Sequence, residues 1–157
     1  MIGFKDKEIE RQFMPSSGLI DDRLAGRVLR LDQYCQEKWG KSHIVSHICR
    51  TKQEQIQLYP GDFVGGRGRS SYHQLRPACA IDLRTHIIHQ VKPDLKFDLY
   101  WTDKEIETMQ NFYERCLNDE RDWMAFIWHR QFEEYKGKIV RFPHIHLQIK
   151  PFIVRIT

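Results

Sequence analysis

The segment Pro143-His144-Ile145-His146-Leu147-Gln148-Ile149 constrains this chain more than any other. Residues two apart in a β-strand point to the same face, so His144 and His146 project side by side, with Ile145, Leu147 and Ile149 as core-like neighbours. Two imidazoles on one face are costly to bury unless something binds them. The segment therefore predicts a strand and makes a metal ion a candidate partner, although such histidine pairs also occur incidentally.

A second place draws attention for the same reason. Ser71-Tyr72-His73 is followed after eight residues by Asp82, which shares a predicted strand face with Ala78 and Ala80. Small alanines beside a carboxylate leave room for an approaching group. A structural role for Asp82, tied to Arg84 or to a backbone amide, is the competing interpretation. Taken together, the two places offer two nitrogens and one oxygen with a fourth position open, the ligand set of a catalytic zinc. A structural zinc more often uses four ligands with cysteine among them, and Cys35, Cys49, Cys79 and Cys116 lie far apart without a CxxC pair. Three of these four sit among apolar neighbours and are expected to be buried free thiols of a reducing compartment. Of the eight histidines, His43, His47, His86, His89 and His129 have no motif around them and are expected to be structural or at the surface.

Periodicity supplies the scaffold. Ile20, Leu24, Val28, Leu31 and Cys35 recur every three or four residues, predicting a helix that opens after Pro15-Ser16-Ser17-Gly18 and stops at Trp39-Gly40. His43–Cys49 is short and β-branched and predicts a strand; 50–59 predicts a short helix stopped by Pro60-Gly61. Residues 61–72 carry four glycines together with Arg67 and Arg69 and predict a loop leading into His73. A strand is expected over 78–84. Thr102-Asp103-Lys104-Glu105 is a capping-box pattern before a helix with Ile106, Met109, Phe112, Tyr113 and Cys116 in its repeat. Further strands are expected at 123–129 and 138–150. This order predicts an α+β fold: a small antiparallel sheet carrying the ligands, packed on two or three helices, in one domain over 1–157 with a polar lead-in at 1–16.

These marks, in this order, resemble the zinc peptidases of the D-Ala-D-Ala carboxypeptidase and L-Ala-D-Glu endopeptidase family, which includes many phage endolysins and shares its fold with the hedgehog signalling domain. The marks are Ser46-His47-Ile48-Cys49-Arg50 followed by Gln55, then Ser71-Tyr72-His73 with Ala80-Ile81-Asp82, then His144-Ile145-His146, spanning roughly residues 17–150. The family usually places six residues with a central glycine between its first two ligands. This chain has eight and no glycine, an extension that costs little in a loop.

The resemblance implies zinc held by His73, Asp82 and His146, and hydrolysis of a peptide bond in the peptidoglycan stem. It gives His144 the place of general base or stabiliser of the tetrahedral intermediate, because the family's alternative acidic base would fall at Pro143. Glu133 and Glu134 are fallback bases. Arg50 is expected to face the substrate, its fork suited to a carboxylate or an oxyanion, with Gln55 and Ser71 also in the binding site. A binding module that keeps the fold without turnover is the alternative. An iron oxygenase also uses two histidines and a carboxylate, but that class favours a close HxD pair, unlike the spacing of His73 and Asp82.

Bulk properties limit the partners. The net charge of +4 is modest and spread along the chain, which speaks against a nucleic-acid surface, and no apolar run is long enough to span a membrane. The start of the chain lacks an apolar signal region, so synthesis in the cytoplasm is expected, followed either by release to the cell wall through a separate pore or by action as a cytoplasmic dipeptidase. A monomer acting on peptidoglycan or muropeptides is expected.

Overall fold

A computed structural model describes residues 1–58, 71–90, 94–119, 121 and 124–151. The predicted long helix is α2, Asp22–Trp39. Its stripe Leu24, Val28, Leu31 and Cys35 is fully buried. The Asp21 carboxylate caps its start by accepting from the Arg23 N–H, and Gly40 ends it at φ 65°, a left-handed conformation that favours glycine. Ile20, first of the stripe, lies just before the helix and bridges to Ala78.

The lead-in over 1–16 is more structured than its polarity suggests. Gly3–Phe4 forms strand β1 and Lys7–Phe13 forms helix α1, capped by Asp6. Ile9 and Phe13 from that short helix reach the core. β1 runs parallel to β2 (Ile44–His47), so the sheet is mixed at this edge and antiparallel elsewhere. The strand order is β1-β2-β3-β9-β6, with β3 at Ala80–Arg84, β6 at Ala125–His129 and β9 at His144–Gln148. The α+β class holds: helices α1, α2, α3 (Lys52–Leu58) and α4 (Asp103–Phe112) accompany this sheet.

Register divides the sheet into two unlike faces. Residues directly opposite in antiparallel strands share a face. Ile81 pairs with Leu147 and Leu147 with Phe126, and Leu83 pairs with Ile145. These aliphatic and aromatic residues join α2 and the α4 residues Ile106 and Met109 in one buried cluster. On the other face Asp82 stands opposite His146, and Arg84 opposite His144, which in turn stands opposite His129.

Several details depart from the periodic expectation. The single strand expected over 138–150 is two, β8 (Lys138–Arg141) and β9, because Pro143 between them cannot donate to a ladder. β8 pairs with β7 (Glu133–Tyr135), and β4 (His86–Gln90) pairs with β5 (Lys96–Leu99), making two small separate hairpins. The α4 repeat runs into a π turn at Tyr113–Leu117. The wider turn buries Leu117 and leaves Cys116 exposed, while Cys35, Cys49 and Cys79 are buried. Pro60-Gly61, the glycine segment through residue 70 with Arg67 and Arg69, and Trp123 lie outside the described residues. Among the described residues no helix is long and apolar enough to cross a membrane.

Candidate metal centre

The polar face of the sheet converges on Asp82. Its Oδ1 lies 2.9 Å from His146 Nδ1 and 3.2 Å from His73 Nε2. One ligand atom from each of these three residues lies within 4.8 Å of the others, forming a group able to hold a metal ion. Asp82 and His73 are fully buried.

Local structure brings His73 to the strands. Ser71 caps a short 3-10 turn at Tyr72–Gln74, its hydroxyl oxygen accepting from the His73 N–H, with Gln74 completing a capping box. Ser71 therefore sets the angle of His73 through the backbone. The residues after β2 clamp the same histidine twice: the Arg50 N–H donates to the His73 carbonyl at 2.9 Å, and the His73 ring Nδ1 donates to the Ile48 carbonyl at 2.7 Å.

These contacts settle which ring atoms face the centre. With the His73 proton on Nδ1, its Nε2 presents a lone pair. His146 is arranged in mirror fashion: Nε2 donates to Gln148 Oε1 at 2.9 Å, leaving the Nδ1 lone pair inward. Two nitrogen lone pairs and a carboxylate oxygen thus meet with no proton assigned between them. A cation satisfies such a meeting, and the carbonyl and amide partners that fix the rings are the outer contacts that metal-binding histidines need.

The second oxygen of Asp82 faces positive charge. Arg141 Nη2 donates to Oδ2 at 2.7 Å and Arg50 Nη2 approaches it at 3.5 Å. Burial alone would raise the Asp82 pKa. The positive charge of Arg141 beside it outweighs burial and holds the carboxyl well below the usual range. The carboxylate therefore stays ionised, with one oxygen turned to the imidazoles and the other to the guanidinium groups. Arg84, the tie expected if Asp82 were merely structural, has no bond to it.

The remaining residues singled out in the sequence are placed as follows. Arg50 is 2% exposed, turned inward, and donates from Nη1 to Gln55 Oε1 at 2.8 Å. Gln55 is itself fully buried, so its visible contact is with Arg50. His144 lies beside the centre, Nε2 at 3.9 Å from Asp82 Oδ1. Its Nδ1 donates to the Phe142 carbonyl and its Nε2 accepts from Arg141 at 2.7 Å. Burial, reinforced by Arg141 against the opposing pull of Asp82, pushes its pKa down to about 3, so the ring is neutral. Glu133 and Glu134 sit on β7, and among the described residues neither bonds to the three ligands.

Three residues join the site that were not expected there, and two of them, His129 and His47, were expected to be structural or at the surface. Arg141 is one, 5% exposed; nothing in its local sequence distinguishes it from a surface cation on a strand. His129 is another: its ring stacks on His144 with centroids 4.6 Å apart. Its strand was predictable, but only the β6–β9 register places it opposite His144. His47 Nδ1 lies 3.8 Å from Asp82 Oδ2; its position inside the Ser46–Arg50 segment was the available signal. By contrast His43, His86 and His89 stay outside the centre.

No family model, curated protein or solved structure matches the chain.

Proposed function

We propose that the protein is a zinc-dependent peptidase acting on a peptide bond of the peptidoglycan stem. The observation that carries this reading is the meeting of His73 Nε2 and His146 Nδ1 at Asp82 Oδ1, a group of three able to hold a metal ion and matching the number of protein ligands a catalytic zinc uses. Zinc bound there would supply a water nucleophile at neutral pH by lowering the water pKa to about 7. His73 and His146 would hold the ion with rings locked by Ile48 and Gln148. Arg50 and Arg141 bring two guanidinium groups to the edge of the centre, where negative charge on a substrate oxygen would be stabilised. His144 stands beside the centre and is assigned the proton-handling role, which requires Arg141 to release its Nε2 when substrate binds. Supporting the peptidase class beyond the centre itself is the ordered resemblance described above, from Ser46 to His146.

One observation favours a second reading, a metal-holding module without turnover: Arg141 already fills the acceptor nitrogen of His144. Incubating the zinc-loaded protein with defined muropeptides and weighing the products separates the two. New fragments differing by hydrolysis of one stem bond support the peptidase and identify the bond. Intact muropeptides alongside stoichiometric bound zinc would leave the module.

A further inference from the structure

A cavity of about 320 Å³ opens beside His144 on the polar face. Lys5, Arg84 and Arg141 line it, and so do His47 and His86, but no aspartate or glutamate does among the described residues. Arg141 is engaged with Asp82, as described. Lys5 and Arg84 are different: among the described residues neither side chain has a hydrogen bond or an ion pair. Lys5 is fixed by its backbone, whose N–H donates to the Val45 carbonyl at 2.8 Å and sets it against β2. Arg84 comes from the last position of β3, opposite His144. Ser46 and His144 also line it, and Leu58, Ile88, Val140, Phe142 and Pro143 give the wall an apolar part.

Positive charge in a concave, partly apolar wall focuses a field that water screens poorly, so the cavity favours an anion. Its size suits one amino-acid residue rather than a polymer. The planar fork of Arg84 matches a carboxylate through two parallel bonds, and the apolar wall suits the aliphatic part of the same residue. We infer that this cavity binds a carboxylate carried by the substrate residue next to the reacting bond, with Arg84 and Lys5 as its specificity-determining partners. This names a substrate class for the hydrolase proposed above and rests on that reading. Two sources share the chemistry: the free C-terminus of a peptide, as an exopeptidase would require, or an acidic side chain within one.

Binding rather than turnover provides the test. Three probes are titrated into the zinc-loaded protein by calorimetry: acetyl-alanyl-leucine, acetyl-alanyl-leucinamide, and acetyl-glutamyl-leucinamide. At least one carboxylate probe is expected to bind about tenfold or more tighter than the neutral amide. A preference for acetyl-alanyl-leucine identifies a terminal carboxylate, and one for acetyl-glutamyl-leucinamide a side-chain carboxylate. Arg84→Gln should erase that preference with zinc content unchanged, Arg84→Lys should restore part of it, and Lys5→Gln, at an exposed position, should reduce it. Equal binding of all three probes, or no binding of either carboxylate probe, overturns the inference. So does a preference that survives both Arg84→Gln and Lys5→Gln, because the carboxylate would then be held elsewhere. A carboxylate preference in a protein that cleaves no muropeptide would support the cavity while sinking the peptidase.

Discussion

Two buried histidine clusters in this molecule use similar residues to opposite ends. Around His43, Cys35 Sγ lies 3.4 Å from the ring Nε2, and Asp32 is the nearby carboxylate. Yet Asp32 Oδ1 is turned away from the ring and accepts from the His43 backbone N–H at 2.7 Å. The ring itself packs against Trp101, and burial followed by the Lys41 charge pushes its pKa down to about 3. Burial with the added charge of Asp32 pushes the Cys35 thiol up to about 12, so it remains protonated. Around His73 the carboxylate faces the rings, and the ring protons are drawn outward by carbonyl oxygens. A buried histidine beside an acid and a thiol is therefore not enough to make a group arranged to hold a metal ion. What differs is the direction of the lone pairs, set by the Ile48 carbonyl for His73 and by the Gln148 side chain for His146.

The largest effect expected from this difference is in metal content. Elemental analysis of the purified protein should find about one zinc per chain, lost in His73→Ala and Asp82→Ala and kept in His43→Gln and Asp32→Asn. Asp82→Ala should also destabilise the fold by about 3–5 kcal/mol, since Arg50 and Arg141 would be left buried without their carboxylate. Stoichiometric zinc in both His73→Ala and Asp82→Ala would erase the distinction between the clusters.

A smaller effect sharpens the comparison within the centre. His146→Ala should lose metal and activity together. His144→Ala should keep the metal while turnover of a cleavable muropeptide falls by about 10²–10⁴, the usual range for lost acid–base help. If His144→Ala released the zinc instead, the two histidines of β9 would exchange roles.

The smallest expected effect concerns acid stability. His43 takes up a proton at about 6.5 when the chain unfolds, but only at about 3 when folded. Its contribution to stability is therefore complete above the unfolded value and drains away as pH falls towards the folded one. Between pH 6.5 and about 4.5 this amounts to roughly 2–3 kcal/mol. Urea unfolding with chelator present should show the parent losing that much more stability over this interval than His43→Gln. Parallel losses in the two proteins would mean that His43 is not held neutral in the fold.

How legible all this is in the sequence depends on the range of the interaction. Strand periodicity alone puts His144 and His146 on one face, and helix periodicity alone delivers the Leu24–Cys35 stripe. Both need only neighbours two to four residues away. The α1–β1 segment is illegible for the converse reason: its few apolar residues acquire meaning only when Phe13 reaches the core and Gly3 pairs with Ile44. Arg141 meets Asp82 across 59 residues, and His129 meets His144 by register, so neither contact leaves a local trace. Ser71 is legible as part of a Ser-x-His pattern, while its capping of the turn that carries His73 emerges only in three dimensions.

The π turn at the end of α4 has a practical consequence. By turning Cys116 outward while Cys35, Cys49 and Cys79 stay enclosed, it gives the native protein a single thiol within reach of an alkylating dye. A mass shift of one label then counts folded molecules and a shift of four counts unfolded ones. The chain carries its own gauge of opening, readable in a mixture and without any substitution.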